Sequence, residues 1–453
     1  MYGGLLKTAS AAAILAAAGW FGAGSAKAAD LGGDCCADLE ERVAELEATT
    51  VRKGNRKVSV TLSGFVGHNV MFWDDGTQND VYIGDGGNYF SRFRFVGSAK
   101  ISPTVTAGFL YEFGIDNNRI GNMNQGNGGD DLDGTTAAGT SGRTDVLRDS
   151  TVWLQHSQLG KIKVGHGSTA TDNLVLIDLG GMAGAGTPDL GLYMGSFRFR
   201  NAAGVLGNSS QTWQKALAGH ESFDTSRRNH VLYETPTIMG FNVQAAVAED
   251  NYWDVALRYA GEFAGFRLAF GIGYQEDSEF NSPGQSGTPA GGLTAGLNSI
   301  ICTDTCDAKT QELKGSASIL HVASGLWLTG AGGQRQVDGA GSAGVPDLTF
   351  WYLAGGIRKN FFGFGDTVLF GEYYESKGGL ANAAFLTNTA SGLAGGDTSS
   401  KATEWGLGIN QYIDAAAMEV FVTYKHFSLD ANLDTLGSSE DFQAVIAGAR
   451  VNF

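Results

Sequence analysis

Two places in the chain bring together side chains capable of covalent chemistry, and each lacks something that chemistry needs. Gly165-His166-Gly167-Ser168 sets an imidazole two residues from a hydroxyl. Nucleophilic catalysis also requires a polar group to orient the histidine; no acid adjoins the pair, and no Gly-x-Ser-x-Gly turn occurs. Cys302 and Cys306 stand four residues apart in a polar stretch with no histidine or further cysteine near. That spacing suits a small disulfide, whose Cα atoms must come within ~7 Å, and not a metal site. The remaining reactive character is charge. Arg92-Phe93-Arg94 alternates basic and aromatic residues, which on an extended strand puts both guanidiniums on one face. The chemistry of such a face is electrostatic and non-covalent, and neither cofactor nor metal is expected.

Strands must position these charges. From Lys57 to the end the pattern has a period of two. In Arg92-Phe93-Arg94-Phe95-Val96-Gly97-Ser98-Ala99-Lys100 the cations share one face and the phenylalanines the other. Trp253 to Tyr259, Phe266 to Tyr274 and Met418 to Lys425 alternate in the same way. Segments of ~9–11 such residues are the length at which a strand crosses a bilayer, apolar outside and polar inside. Short connections at Ser102-Pro103, Gln158-Leu159-Gly160, Thr235-Pro236, Gly261-Glu262, Ala323-Ser324-Gly325, Phe361-Phe362-Gly363 and Asp414-Ala415 alternate with long polar stretches near 116–145, 170–225, 277–308, 337–347 and 378–400. All six prolines fall in turns or loops, and Gly at 68 residues follows no collagen period. The fold expected is all-β, a transmembrane antiparallel β-barrel of about sixteen strands spanning 57–453. A propeller or β-helix would carry a repeat of fixed period, and none is seen. Trp73, Tyr111, Trp253, Trp351, Tyr352 and Tyr424 recur near strand ends, as interfacial aromatic belts do.

The N-terminal segment sets the compartment. Lys7, an Ala-rich apolar run from Ala9 to Ala23, and Ala26-Lys27-Ala28 compose a secretory signal peptide over residues 1–28; the run is too short to span a membrane as a helix. The formal charge is −16. Removing Lys7 and Lys27 with the leader leaves −18, which argues against a nucleic-acid partner. Residues 29–56 hold the one convincing helix, over 34–50. There Cys36, Leu39, Val43 and Leu46 are spaced three and four apart, with Glu40, Glu41, Glu45 and Glu47 on the other faces. It reads either as a frayed helix before the barrel or as a short periplasmic trimerising stalk. Cys35 and Cys36 are adjacent, and a vicinal and an intersubunit bridge both remain open.

Four places together resemble the general porins of Gram-negative bacteria, and most closely their alphaproteobacterial branch. They are Asp38 to Glu47 followed by the strand from Lys57; Ser91 to Gly97; Arg228-Asn229-His230-Val231-Leu232-Tyr233-Glu234-Thr235-Pro236 with Gly240-Phe241; and the ending Ala449-Arg450-Val451-Asn452-Phe453. The resemblance implies a homotrimer in the outer membrane, among lipid and lipopolysaccharide, that passes ions and small hydrophilic solutes through a water-filled channel. It implies a third loop, about 170–226, folded inward to narrow the channel. Its acids Asp172, Asp178, Asp189, Glu221 and Asp224 would face a basic wall of Arg92, Arg94, Lys163, His166, Arg227 and Arg228. Phe453 would be the signal read by the barrel-assembly machinery. The loop lacks the Pro-Glu-Phe-Gly-Gly run of enteric porins. Two alternatives stand beside the general pore. One is a sugar- or anion-specific channel using Tyr193, Phe197 and Phe199 with Arg198 and Arg200. The other is a tether joining the outer membrane to peptidoglycan.

Overall fold

The structure, a computed structural model, describes residues 57–86, 90–115, 119–126, 128, 146–217, 223, 227–249, 251–278, 309–338, 345–387, 391–395 and 397–453. The leader, the 34–50 helix and all four cysteines lie outside them. The strands are β1 (Ser59–Asp74), β2 (Asn79–Asp85), β3 (Arg92–Lys100), β4 (Val105–Gly114), β5 (Val146–His156) and β6 (Gly160–Ser168). Then come β7 (Arg227–Glu234), β8 (Phe241–Ala248), β9 (Trp253–Phe263), β10 (Phe266–Asp277), β11 (Lys309–His321) and β12 (Leu326–Asp338). The last are β13 (Leu348–Lys359), β14 (Thr367–Lys377), β15 (Lys401–Ile413), β16 (Met418–Asp430) and β17 (Phe442–Asn452).

Every strand pairs antiparallel with its sequence neighbours except β2 and β3, which both pair with β1, and β17 returns to pair with β1 from Phe65↔Asn452 to Asp74↔Gln443. β2 pairs with the upper half of β1 and β3 with its lower half. They are two halves of one wall strand, so the closed ring counts sixteen strands. One rim carries short connections and the other carries the long ones. The turn expected at Gly261-Glu262 falls three residues later, because β9 and β10 run on to Phe263↔Phe266. Ala264 and Gly265 alone close it, with φ of 50° and 81°. Two positive φ values give the hairpin twist that matches the strands, and glycine adopts them without strain.

The alternation works as a sorting rule. On β13, Trp351 and Leu353 are exposed on the outer face, while Tyr352 and Ala354 are buried inside. Outward aromatics gather in pairs, among them Trp351–Tyr373, Trp405–Tyr424 and Trp253–Tyr274 with ring centroids 5.0, 5.3 and 5.4 Å apart. Two of the expected belt residues are lumenal instead. Trp73 packs on Phe197 at 4.9 Å, and the Tyr352 hydroxyl donates to Glu372 at 2.6 Å. Adjacent residues cannot share a strand face, so Trp351 and Tyr352 could never both have been outside. At the short-turn rim the last residue completes the ring: Phe453 N–H donates to Gly64 O at 3.0 Å, and Gly64 N–H to Phe453 O at 2.9 Å.

Candidate functional site

A sixteen-stranded ring is too wide for its own side chains to fill. Here the segment after β6 turns inward and occupies one side of the lumen. Its anchors follow each other around the wall. The Thr171 hydroxyl and N–H both donate to Asp254, at 2.8 Å each. Leu174 lies against β10 so closely that a Cβ on Gly273 would come within 2.5 Å of it, which is why that strand carries glycine. Ile177 and Leu179 donate backbone N–H groups to Ser316 (3.2 Å) and Ser318 (3.0 Å) of β11. Gly181 O accepts from Asn410 at 3.1 Å and from the Tyr412 hydroxyl at 2.9 Å, both on β15. Farther on, Trp213 packs on Phe199 (5.2 Å) and Phe427 (5.9 Å). Gln211 donates to Gly392 O at 2.9 Å and Asp434 O at 2.8 Å. Apolar side chains thus glue the loop to the wall, while side-chain hydrogen bonds satisfy the backbone groups it buries.

The loop seals charges beneath it. Lys425 bonds Glu372 and lies 3.7 Å from Glu404, all three without exposed side-chain area. Arg335 and Lys314 both pair with Glu312, again buried. The lumenal faces of β3–β6 are open in part, although Arg92, Glu112, Arg148, Asp149 and Thr151 on them are buried. Arg94, Val96, Thr106, Leu110, Trp153, Lys161 and Lys163 are half-buried, and Ser98, Lys100 and Gln155 are exposed. The aqueous side of the lumen therefore lies against these strands.

On that side the arginines converge on one carboxylate. Glu112 of β4 accepts from Arg94 at 2.9 and 2.5 Å, from Arg148 at 2.8 Å and from Arg92 at 3.5 Å. Arg92, Arg148 and Arg119 also pack around the Phe90 ring, 5.1, 4.8 and 4.4 Å from its centroid. Lys163 pairs with Asp149 at 3.2 Å. Arg228 pairs with Asp277 and lies over Tyr252 at 4.4 Å. Glu112, Asp149 and Arg148 were missed in the sequence. Glu112 was within reach of parity, as the lone charge opposite the Phe109-Tyr111-Phe113 face. A register shift between Glu112 and Phe113 hid Arg148, which strict alternation would have turned outward.

His166 shares strand parity with Ile162 and Val164, which are 49% and 45% exposed on the outer face, and it pairs across to Asn229; it is half-buried near the loop end of β6, whereas Lys163 lies on the lumenal face. The loop acids also differ from the expected facing row. Asp172 is fully buried and lies 3.5 Å from Arg227. Asp178 accepts N–H groups of Gly180, Gly181 and Met182 at 2.7, 2.8 and 2.9 Å, and the Thr329 hydroxyl at 3.1 Å. It thus folds its own turn and fastens it to β12. Asp189 is buried; Glu221 and Asp224 lie outside the described residues. Tyr193, Phe197 and Phe199 are completely buried, so they form the contact between loop and wall and no aromatic track. Arg200 is held by Asp75 at 2.7 Å and Gln78 at 2.6 Å, and Arg198 reaches Gly207 O at 3.3 Å.

A closed antiparallel ring with an apolar outside, a charged lumen and an inward loop defines a transmembrane channel of the outer-membrane type. The chain belongs to the Gram-negative porin family, whose model matches residues 9–450, and it is an outer-membrane diffusion channel. Among solved structures it is similar to OmpF of Salmonella typhi (13% identity, 89% of this chain and 100% of that one, TM-score 0.50). It is also similar to an anion-selective porin of Comamonas acidovorans (19%, 87% and 100%, TM-score 0.48) and to OmpT lacking loop L8, from Vibrio cholerae (13%, 88% and 100%, TM-score 0.49). No curated protein matches the sequence.

Proposed function

We propose that ions and small hydrophilic solutes cross between the inward loop and the β3–β6 wall, with Arg92, Arg94, Lys163, Arg227 and Arg228 as the basic side of the constriction. The observation that carries this is the contrast between the two halves of the lumen. Arg94, Lys100, Lys161 and Lys163 of β3–β6 keep solvent, while Glu312, Lys314, Arg335, Glu372, Glu404 and Lys425 of β11–β16 are sealed under the loop. The acid side of the field comes from Glu112 and Asp149 on the wall itself. Fixed charges of both signs at close range order the water between them and favour polar over apolar solutes. We read the working unit as a homotrimer, inserted by the barrel-assembly machinery through the Phe453 end and seated in lipid and lipopolysaccharide, with residues 1–28 removed as a leader. The proposal assigns no catalytic chemistry to the chain. Planar-bilayer recording of the purified protein tests it: current steps grouped in threes, without block by any one sugar, are expected. Block at low sugar concentration would replace the general pore with a specific channel. Absence of steps would remove the pore.

A further inference from the structure

We infer that the passage prefers anions, so that small phosphates and carboxylates cross faster than neutral or cationic solutes of equal size; this rests on the diffusion-channel reading. Among the described residues, the constriction group holds six cations, Arg92, Arg94, Arg148, Lys163, Arg227 and Arg228, against four carboxylates, Glu112, Asp149, Asp172 and Asp277. Exposure sharpens the imbalance. Arg94 is 38% exposed over a Glu112 at 6%, Lys163 13% over an Asp149 at 9%, and Arg227 18% over an Asp172 at 0%. In each pair the solute meets the cation first.

Two sources of negative charge do not reach the passage. Asp178 is spent on three backbone N–H groups and a hydroxyl. Glu312, Glu372 and Glu404 lie sealed under the loop against their own lysines and arginine. The formal charge of −16 does not decide the matter, because screening at physiological salt confines an ion's view to charges within ~8 Å. Two net positive charges about 6 Å from the ion's path, in water-like dielectric and screened, enrich an anion roughly threefold over a neutral particle. Guanidinium forks also match the paired oxygens of carboxylate and phosphate.

The test is the zero-current potential of the purified full-length protein in a planar bilayer under a tenfold KCl gradient. A chloride-over-potassium ratio of several-fold is expected. Arg94→Gln and Lys163→Gln should each lower it; an unchanged ratio in both would overturn the assignment to this group. A potassium preference, or a ratio near one, in the unaltered protein would overturn the inference and leave the pore standing. Loss of all conductance would instead overturn the pore reading, and the preference with it.

Discussion

Glu112 holds three guanidiniums in one small volume, and Arg92 and Arg148 are nearly as buried as it is. Removing its charge takes away the carboxylate the three guanidiniums share, which is far costlier than replacing the whole group. Glu112→Gln is expected to destabilise the barrel by on the order of 3 kcal/mol, read as a lower urea midpoint in detergent; an unchanged midpoint would mean that water in the lumen already screens the arginines. Legibility at this scale followed the alternation. Arg92, Arg94 and Lys163 could be placed inside because phenylalanine, valine or isoleucine flanks them. His166 could not, since Gly165 and Gly167 beside it carry no signal of facing. The loop acids were opaque for another reason. An aspartate that caps a turn and one that faces a channel look the same in sequence, and only Thr329 and the three N–H groups around Asp178 tell them apart.

The inward loop is held at its far end by Trp213, which is almost fully buried between Phe199, Phe427 and Phe442. Trp213→Ala should remove about 3–5 kcal/mol of packing from the loop alone, since the ring of strands keeps all its ladders. Larger and noisier single-channel current is expected, along with new protease cleavage near residues 201–217; current identical to the parent would show that the loop holds through its hydrogen bonds. Most element boundaries could be read ahead of the structure, because Gly, Pro, Asn and Ser mark turns by their backbone preferences. The split of the second wall strand could not. β2 ends its pairing at Asp85, but the return of the chain to the same partner at Phe65↔Arg92 is a property of β1's ladder.

The molecule as a whole sorts side chains by solvent, lipid outside and water within, and the two faces should tolerate charge differently. Leu353 sits near the middle of β13, 45% exposed on the outer face; Gln244 of β8 is half-buried on the lumenal side. Leu353→Arg is expected to cost ~2–4 kcal/mol near the bilayer midplane, and Gln244→Arg little, as measured by refolding into lipid vesicles. Equal yields from the two variants would contradict the assigned faces. The pairing of β1 with β17 has a consequence in time. Each other ladder joins neighbours in the chain and can form as soon as both are present, but this one waits for the C-terminal residues, and until then the sheet has two unsatisfied edges. The cost of bringing such distant ends together grows only slowly with length, so completeness, and not distance, limits closure. A chain ending at residue 441 is expected to aggregate during vesicle refolding under conditions where the full chain inserts, with light scattering as the readout. One seam makes the barrel's assembly an all-or-nothing event.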